Sequence, residues 1–248
     1  MAKENEERAG ARMTVVEHLT ELRHRLFVSV LAFVGGSIVA YIFYDTILRL
    51  LTMPLDKGGN IAGVHVEGLS VSGVTTAFLV QLKVSIFAGL MLALPVILFQ
   101  LWRFITPGLE KKEKRYAIPF VAGSVGLFAA GAVVAYMTLP SALGFLLGFT
   151  KGFKPIIFVN EYVGFVTFMV LAFGITFELP MVLIALAGVG IVTSAWMKKY
   201  RRHAVVVCFI IGAVATPSQD PYTNTLMAVP LYLLFEVSYL IVRFVMRK

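Results

Sequence analysis

From Tyr116 to Thr150 the sequence contains no Asp, Glu, Lys or Arg. A helix of that length with no polar face has no stable place in water. It also exceeds the roughly 20 apolar residues that cross a hydrocarbon core. Further apolar runs flank it, separated by short charged loops. Only 15% of the 248 residues are charged, against about 25% in soluble domains, and the mean hydropathy is +0.85. The chain is therefore read as a polytopic membrane protein. In lipid the backbone must satisfy its own hydrogen bonds within each segment, which selects helices; a β-barrel would show short alternating segments instead. The expected fold class is all-α, a bundle of six transmembrane helices in one membrane domain.

Residues 1–13 form a polar tail. Residues 14–25 are expected as an interfacial amphipathic helix, because Val15, Leu19, Leu22 and Leu26 recur at helical spacing among charged neighbours. Spans are expected at 26–44, 76–102, 117–138, 162–188, 204–215 and 224–244. The first is too long for a signal-peptide core and lacks a clear cleavage site, so it is read as retained. Residues 45–75 are read as an external loop. Pro140 is expected to end the third span and open a second external loop over 141–158. Pro95 should kink the second span, and Glu178 with Pro180 should break the fourth. The fifth is short for a core of about 30 Å. A re-entrant hairpin and a true pair of spans both accommodate it, and the pair keeps the loop charges consistent.

That consistency fixes an orientation. With six spans, one side holds Lys3, Arg8, Arg12, Arg23 and Arg25; Arg103, Lys111, Lys112, Lys114 and Arg115; Lys198, Lys199, Arg201 and Arg202; and Arg243, Arg247 and Lys248. These are seventeen of the 22 Lys and Arg. By the positive-inside rule that side is cytoplasmic, with both termini. The net charge of +8 is spread over membrane loops rather than one soluble face, which argues against nucleic-acid binding.

No Walker-A loop, HExxH or GxSxG pattern is present, so the chain is read as no enzyme and as using no cofactor. His18, His24, His65 and His203 fall on different segments and do not suggest a metal site. Cys208 is read as a small core residue. Three charges lie inside apolar runs: Lys83, Glu178 and Glu236. A charge at mid-membrane costs about 2.5–3.5 kcal/mol on insertion scales, so such groups face protein or a wet cavity. Either these charges line a polar groove that accepts something, or Lys83 snorkels and Glu236 reaches water at the interface, the second reading being favoured for Glu236. For Glu178, deep and beside Pro180, the functional reading is favoured, and whether Lys83 pairs with it is open. Glu110 and Glu113 stand among cations in the loop 103–115. Either they are a solvated turn, whose exposed pairs contribute about 0–1 kcal/mol, or Glu113 accepts a guanidinium from outside the chain.

Several segments, in order, resemble one family. They are His18-Leu19-Thr20-Glu21-Leu22-Arg23-His24-Arg25-Leu26, Met53-Pro54-Leu55, the stretch from Leu94 to Phe104, Phe177-Glu178-Leu179-Pro180 and Phe235-Glu236. Together they resemble TatC, the core receptor subunit of the twin-arginine protein translocase. The stretch Thr216-Pro217-Ser218-Gln219-Asp220 departs from it by one residue before the aspartate.

The resemblance implies a cupped six-span bundle in a prokaryotic inner membrane with both ends in the cytoplasm. It implies a receptor for twin-arginine signal peptides within a Sec-independent translocase that exports folded proteins, driven by the proton-motive force. By the same resemblance Glu21 and Glu113 match signal-binding positions, Phe104 and Leu109 their apolar surroundings, and Leu19 and Arg23 flank Glu21. Pro54, Glu178 and Asp220 match further functional positions, with Lys83 as an intramembrane candidate. Single-span TatA- and TatB-type partners would pack near the fifth span, where Thr216 would meet a partner helix, and self-association in a larger complex is implied. The rival reading is a proton-coupled small-solute transporter that uses Glu178 and Lys83 as a coupled pair.

Overall fold

The computed structural model describes residues 15–66, 68–105, 117–150, 152–188, 190–215 and 220–246. Helix α1, Val15–Ile42, is continuous. The stretch expected as a separate interfacial helix is its first turns, since no helix breaker lies between residues 14 and 34.

Helix α2, Tyr44–Ala62, replaces most of the loop expected over 45–75. Its buried residues include Leu51, Leu55, Gly58 and Ala62, which fall on one helical face. Gly63 closes it in the left-handed conformation, φ +67°. Helix α3, Thr76–Ile105, and helix α4, Ala117–Gly148, follow.

The expectation that Pro140 ends the third span is corrected: α4 runs through it to Gly148. The reason is packing. A Cβ at Gly58 of α2 would lie 2.7 Å from Leu143 Cβ and 3.2 Å from the Pro140 carbonyl oxygen, and one at Gly144 would lie 2.7 Å from Ile61. Close helix contact of this kind stabilises more than one missing backbone bond costs.

Helices α5, Val159–Thr176, and α6, Leu179–Gly188, are interrupted at Phe177 and Glu178. Pro180 fits the first turn of α6, where no donor is needed. Short helix α7, Ser194–Lys199, is capped by Thr193, whose hydroxyl accepts from Trp196 N at 3.2 Å. Helix α8 is Arg201–Ala215 and α9 is Pro221–Leu240, continued by a π-helical turn over Ile241–Val245.

Strand β1, Leu69–Ser70, pairs in parallel with β2, Ile157–Phe158, which ties the segment after α2 to the segment after α4. Helices α3, α4 and α5 share a core of Val80, Val84, Leu139, Val166, Met169 and Phe173. A smaller core at the other end joins Ala187, Met197, Phe235 and Val242. Helix α1 crosses α3 where Gly36 meets Gly89; a Cβ at Gly36 would lie 2.7 Å from the Gly89 carbonyl oxygen.

Among the described residues, five helical segments are long and apolar enough to cross a membrane: Leu19–Ile42, Thr76–Phe104, Ile118–Gly148, Val159–Gly188 and Pro221–Phe244. The 15-residue α8 is about 22 Å long at 1.5 Å per residue. It is the short fifth of the six spans of this polytopic helical fold.

Candidate functional site

The sequence candidates do not gather at one point. Glu21 and Arg25 lie four residues apart on α1, hence on one face. Arg25 Nε donates to Glu21 Oε1 at 3.1 Å, and its Nη2 donates to the same oxygen. The side chains are 20% and 11% exposed. Glu21 Oε2 and Arg25 Nη1 are buried with no partner among the described residues. The carboxylate is thus held in place with one oxygen uncommitted. Leu19, Leu22 and Leu26 beside it are exposed, as is Arg23. Phe104, half-buried, ends the matching turn of α3. Leu109 and Glu113 lie outside the described residues, and so does Thr216.

Nearer the membrane interior, Trp102 Nε1 donates to Ser124 Oγ at 3.3 Å, and the buried Ser124 side chain lies beside the Glu178 carboxylate. Trp102 also packs on Phe120, with ring centroids 3.6 Å apart. Glu178 Oε1 has no partner among the described residues. A three-residue polar line therefore joins the α5–α6 break to the α3 end that leads into the loop carrying Glu113.

Lys83 does not reach Glu178. Its Nζ donates to Asn160 Oδ1 at 2.6 Å and to the Asn160 carbonyl at 3.2 Å. Asn160 opens the 18-residue α5 and Glu178 lies beyond its end, so the two charges are separated by about 27 Å of helix. The coupled pair that a proton-driven solute transporter would use is absent. Glu236 is an ion-pair partner rather than a free group: Arg201 Nη2 donates to its Oε2, and Tyr232 Oη donates to its Oε1 at 2.7 Å. The Arg201 guanidinium also lies 4.5 Å from the Tyr239 ring centre, within cation–π range.

Asp220 and Pro54 act on the backbone. Asp220 caps α9, its Oδ1 accepting from Thr223 N at 2.7 Å. Pro54 lies inside α2 and has no N–H to give the Leu50 carbonyl. Tyr136 Oη of α4 donates to that carbonyl at 2.8 Å, and Tyr162 Oη of α5 donates to Leu51 O at 2.8 Å. Among the described residues, no group of three or more His, Cys, Asp or Glu is placed to hold a metal ion.

Sequence reasoning missed Arg25, Ser124, Tyr136, Tyr162 and Asn160. Arg25 carried a usable signal, the i,i+4 spacing from Glu21. The others are single polar groups in apolar runs, and their partners are distant in sequence.

The family model described as "Sec-independent protein translocase protein (TatC)" matches residues 17–230. A relative of that description from Aquifex aeolicus is 41% identical over 240 residues, covering 95% of this chain and 97% of its own. Another, from Frankia casuarinae, is 39% identical over 239 residues, covering 93% of this chain and 66% of its own. A crystal structure described as the twin-arginine translocase receptor TatC superposes with a TM-score of 0.78 at 40% identity, covering 93% of this chain and 100% of that one.

Proposed function

This chain belongs to the TatC family, and on that premise we propose how its inner face reads a signal peptide. It is a multi-pass membrane component of a Sec-independent protein translocase and the twin-arginine receptor of that system. One arginine of the signal docks on the free oxygen of Glu21, and the second docks on Glu113. At Glu21 the arginine donates to Oε2 alone, whereas a whole carboxylate such as that of Glu113 can take a guanidinium in a two-point geometry that an ammonium does not reproduce. Two carboxylates account for a demand for two arginines, because each accepts one guanidinium. Lys111, Lys112 and Lys114 repel peptides that are merely basic. The apolar part of the signal then lies along the exposed Leu19 and the half-buried Phe104, with Leu109 added by the family pattern, where burial yields roughly 0.8 kcal/mol per CH₂.

The observation that carries this reading is the half-engaged state of Glu21. Arg25 fixes the carboxylate through Oε1 and leaves Oε2 buried with no partner among the described residues. An unpaired buried carboxylate oxygen calls for a donor, and a signal arginine supplies one.

The remaining parts of the proposal rest on resemblance to the family. The protein sits in the prokaryotic inner membrane with both termini in the cytoplasm. TatA- and TatB-type single-span partners pack along α8, with Thr216 at the contact. The proton-motive force supplies the energy, and copies of the chain associate in a larger complex. Crosslinking of a twin-arginine signal peptide to membranes carrying Glu113→Ala tests the docking site. Contact with the loop 106–116 should fall; undiminished contact would remove the assignment.

A further inference from the structure

We propose that the groove between α3 and α5 holds an anionic phospholipid from the leaflet opposite the basic loops, with its phosphate on Lys83 and one acyl chain along the groove. The groove has a volume of about 470 Å³ and is walled by Leu82, Ile86 and Leu90 of α3 and Leu171 of α5. Lys83 and Asn160 stand in the same groove. Lys83 is a cation in a membrane segment, where a counter-charge is expected. Among the described residues no carboxylate makes an ion pair with it. Asn160 takes two of its three ammonium donors through neutral oxygens. An incoming phosphate would accept the third and supply the missing charge.

The shape of the groove selects a lipid chain over a transmembrane partner helix. The α3 stripe from Leu79 to Leu90 is about 16 Å long at 1.5 Å per residue. That is one leaflet's share of a hydrocarbon core about 30 Å thick. Just beyond Leu90 the stripe is interrupted, because Ala93 and Leu94 are buried, so no open stripe runs unbroken from Leu79 to the end of α3. A partner helix crossing both leaflets would need an open face along the rest of α3. An acyl chain anchored at Lys83 needs only the part that is open.

The test uses the full chain in liposomes that contain spin-labelled phosphatidylglycerol or spin-labelled phosphatidylcholine at trace level, and it reads the motionally restricted fraction of each. Wild-type protein should select phosphatidylglycerol about fivefold more strongly than Lys83→Gln does, the effect of one lysine near a charged lipid surface. Lys83→Arg should keep the selection, and Ile86→Trp, which fills the groove, should lower the restricted fraction of both lipids. Equal selectivity in wild type and Lys83→Gln would overturn the proposal. So would loss of restriction only when a single-span partner is added to wild type but not to Ile86→Trp, since the groove would then be a protein contact. Lys83→Arg guards against misreading a folding defect: if Lys83→Gln does not fold, failure of Lys83→Arg to select phosphatidylglycerol over phosphatidylcholine overturns the proposal alone.

Discussion

The hydroxyl of Tyr136 donates at 2.8 Å to the carbonyl of Leu50, the group that Pro54 leaves without its helical donor. A side chain on α4 thus completes the backbone of α2. Tyr162, buried on α5, adds a further bond to the carbonyl of Leu51 one residue on. The two bonds tie three helices at one point on the side of the molecule away from the basic loops.

Removal of that hydroxyl should therefore be conditional on the proline. Tyr136→Phe should destabilise the protein by about 1 kcal/mol, the net value of a typical hydrogen bond. Pro54→Ala restores an N–H for Leu50, so the double variant should lose less than the sum of the single ones. Thermal unfolding in detergent measures all three. Strict additivity would mean that Tyr136 does not stand in for the missing donor.

The first helical turn of α9 depends on Asp220. Asp220→Ala should cost about 1 kcal/mol through the lost cap, and Asp220→Ser or Asp220→Asn should cost much less. Thermal unfolding of the three variants separates the cap from any other part the side chain plays. Equal losses in Ala and Asn would show that the cap is not what matters.

The crossing of α1 and α3 tolerates no side chain. A Cβ at Gly89 would lie 2.5 Å from Ser37 Cα. Gly89→Ala should destabilise the pair by about 1–3 kcal/mol, the usual range for overpacking, and should weaken cysteine crosslinking between Gly36-side and Gly89-side positions. Gly35→Ala, which meets nothing within 4 Å, is the control and should leave both readouts unchanged.

What the sequence made legible follows from periodicity. Charge-free runs announce themselves, so the long spans and the break at Glu178 and Pro180 were readable. Helix α2 was not, because Pro54 and the Gly58-Gly59 pair read as loop residues. In the structure the proline is compensated by Tyr136, Gly58 is a contact point for α4, and Gly59 lies against Val64 and Val66. The same contact carries α4 through Pro140, where local preference expects a stop. At the inner face Glu21 was readable as a candidate, but its engagement by Arg25 required attention to a four-residue spacing. The partners of Lys83 and Glu178 lie too far away in sequence for any local pattern to show, and only the packing of α3, α4 and α5 brings Asn160 and Ser124 to them.

The central claim is that Glu21 and Glu113 read paired guanidinium groups. The most direct measurement is the affinity of the purified protein for a signal peptide with Arg-Arg against the same peptide with Lys-Lys, in wild type, Glu21→Gln and Glu113→Gln. Wild type should prefer Arg-Arg, and each substitution should weaken that binding by about tenfold or more, since a hydrogen bond to a charged group contributes about 1.5–3 kcal/mol. Equal affinity for the two peptides in wild type, or an Arg-Arg preference that survives both substitutions, would contradict it.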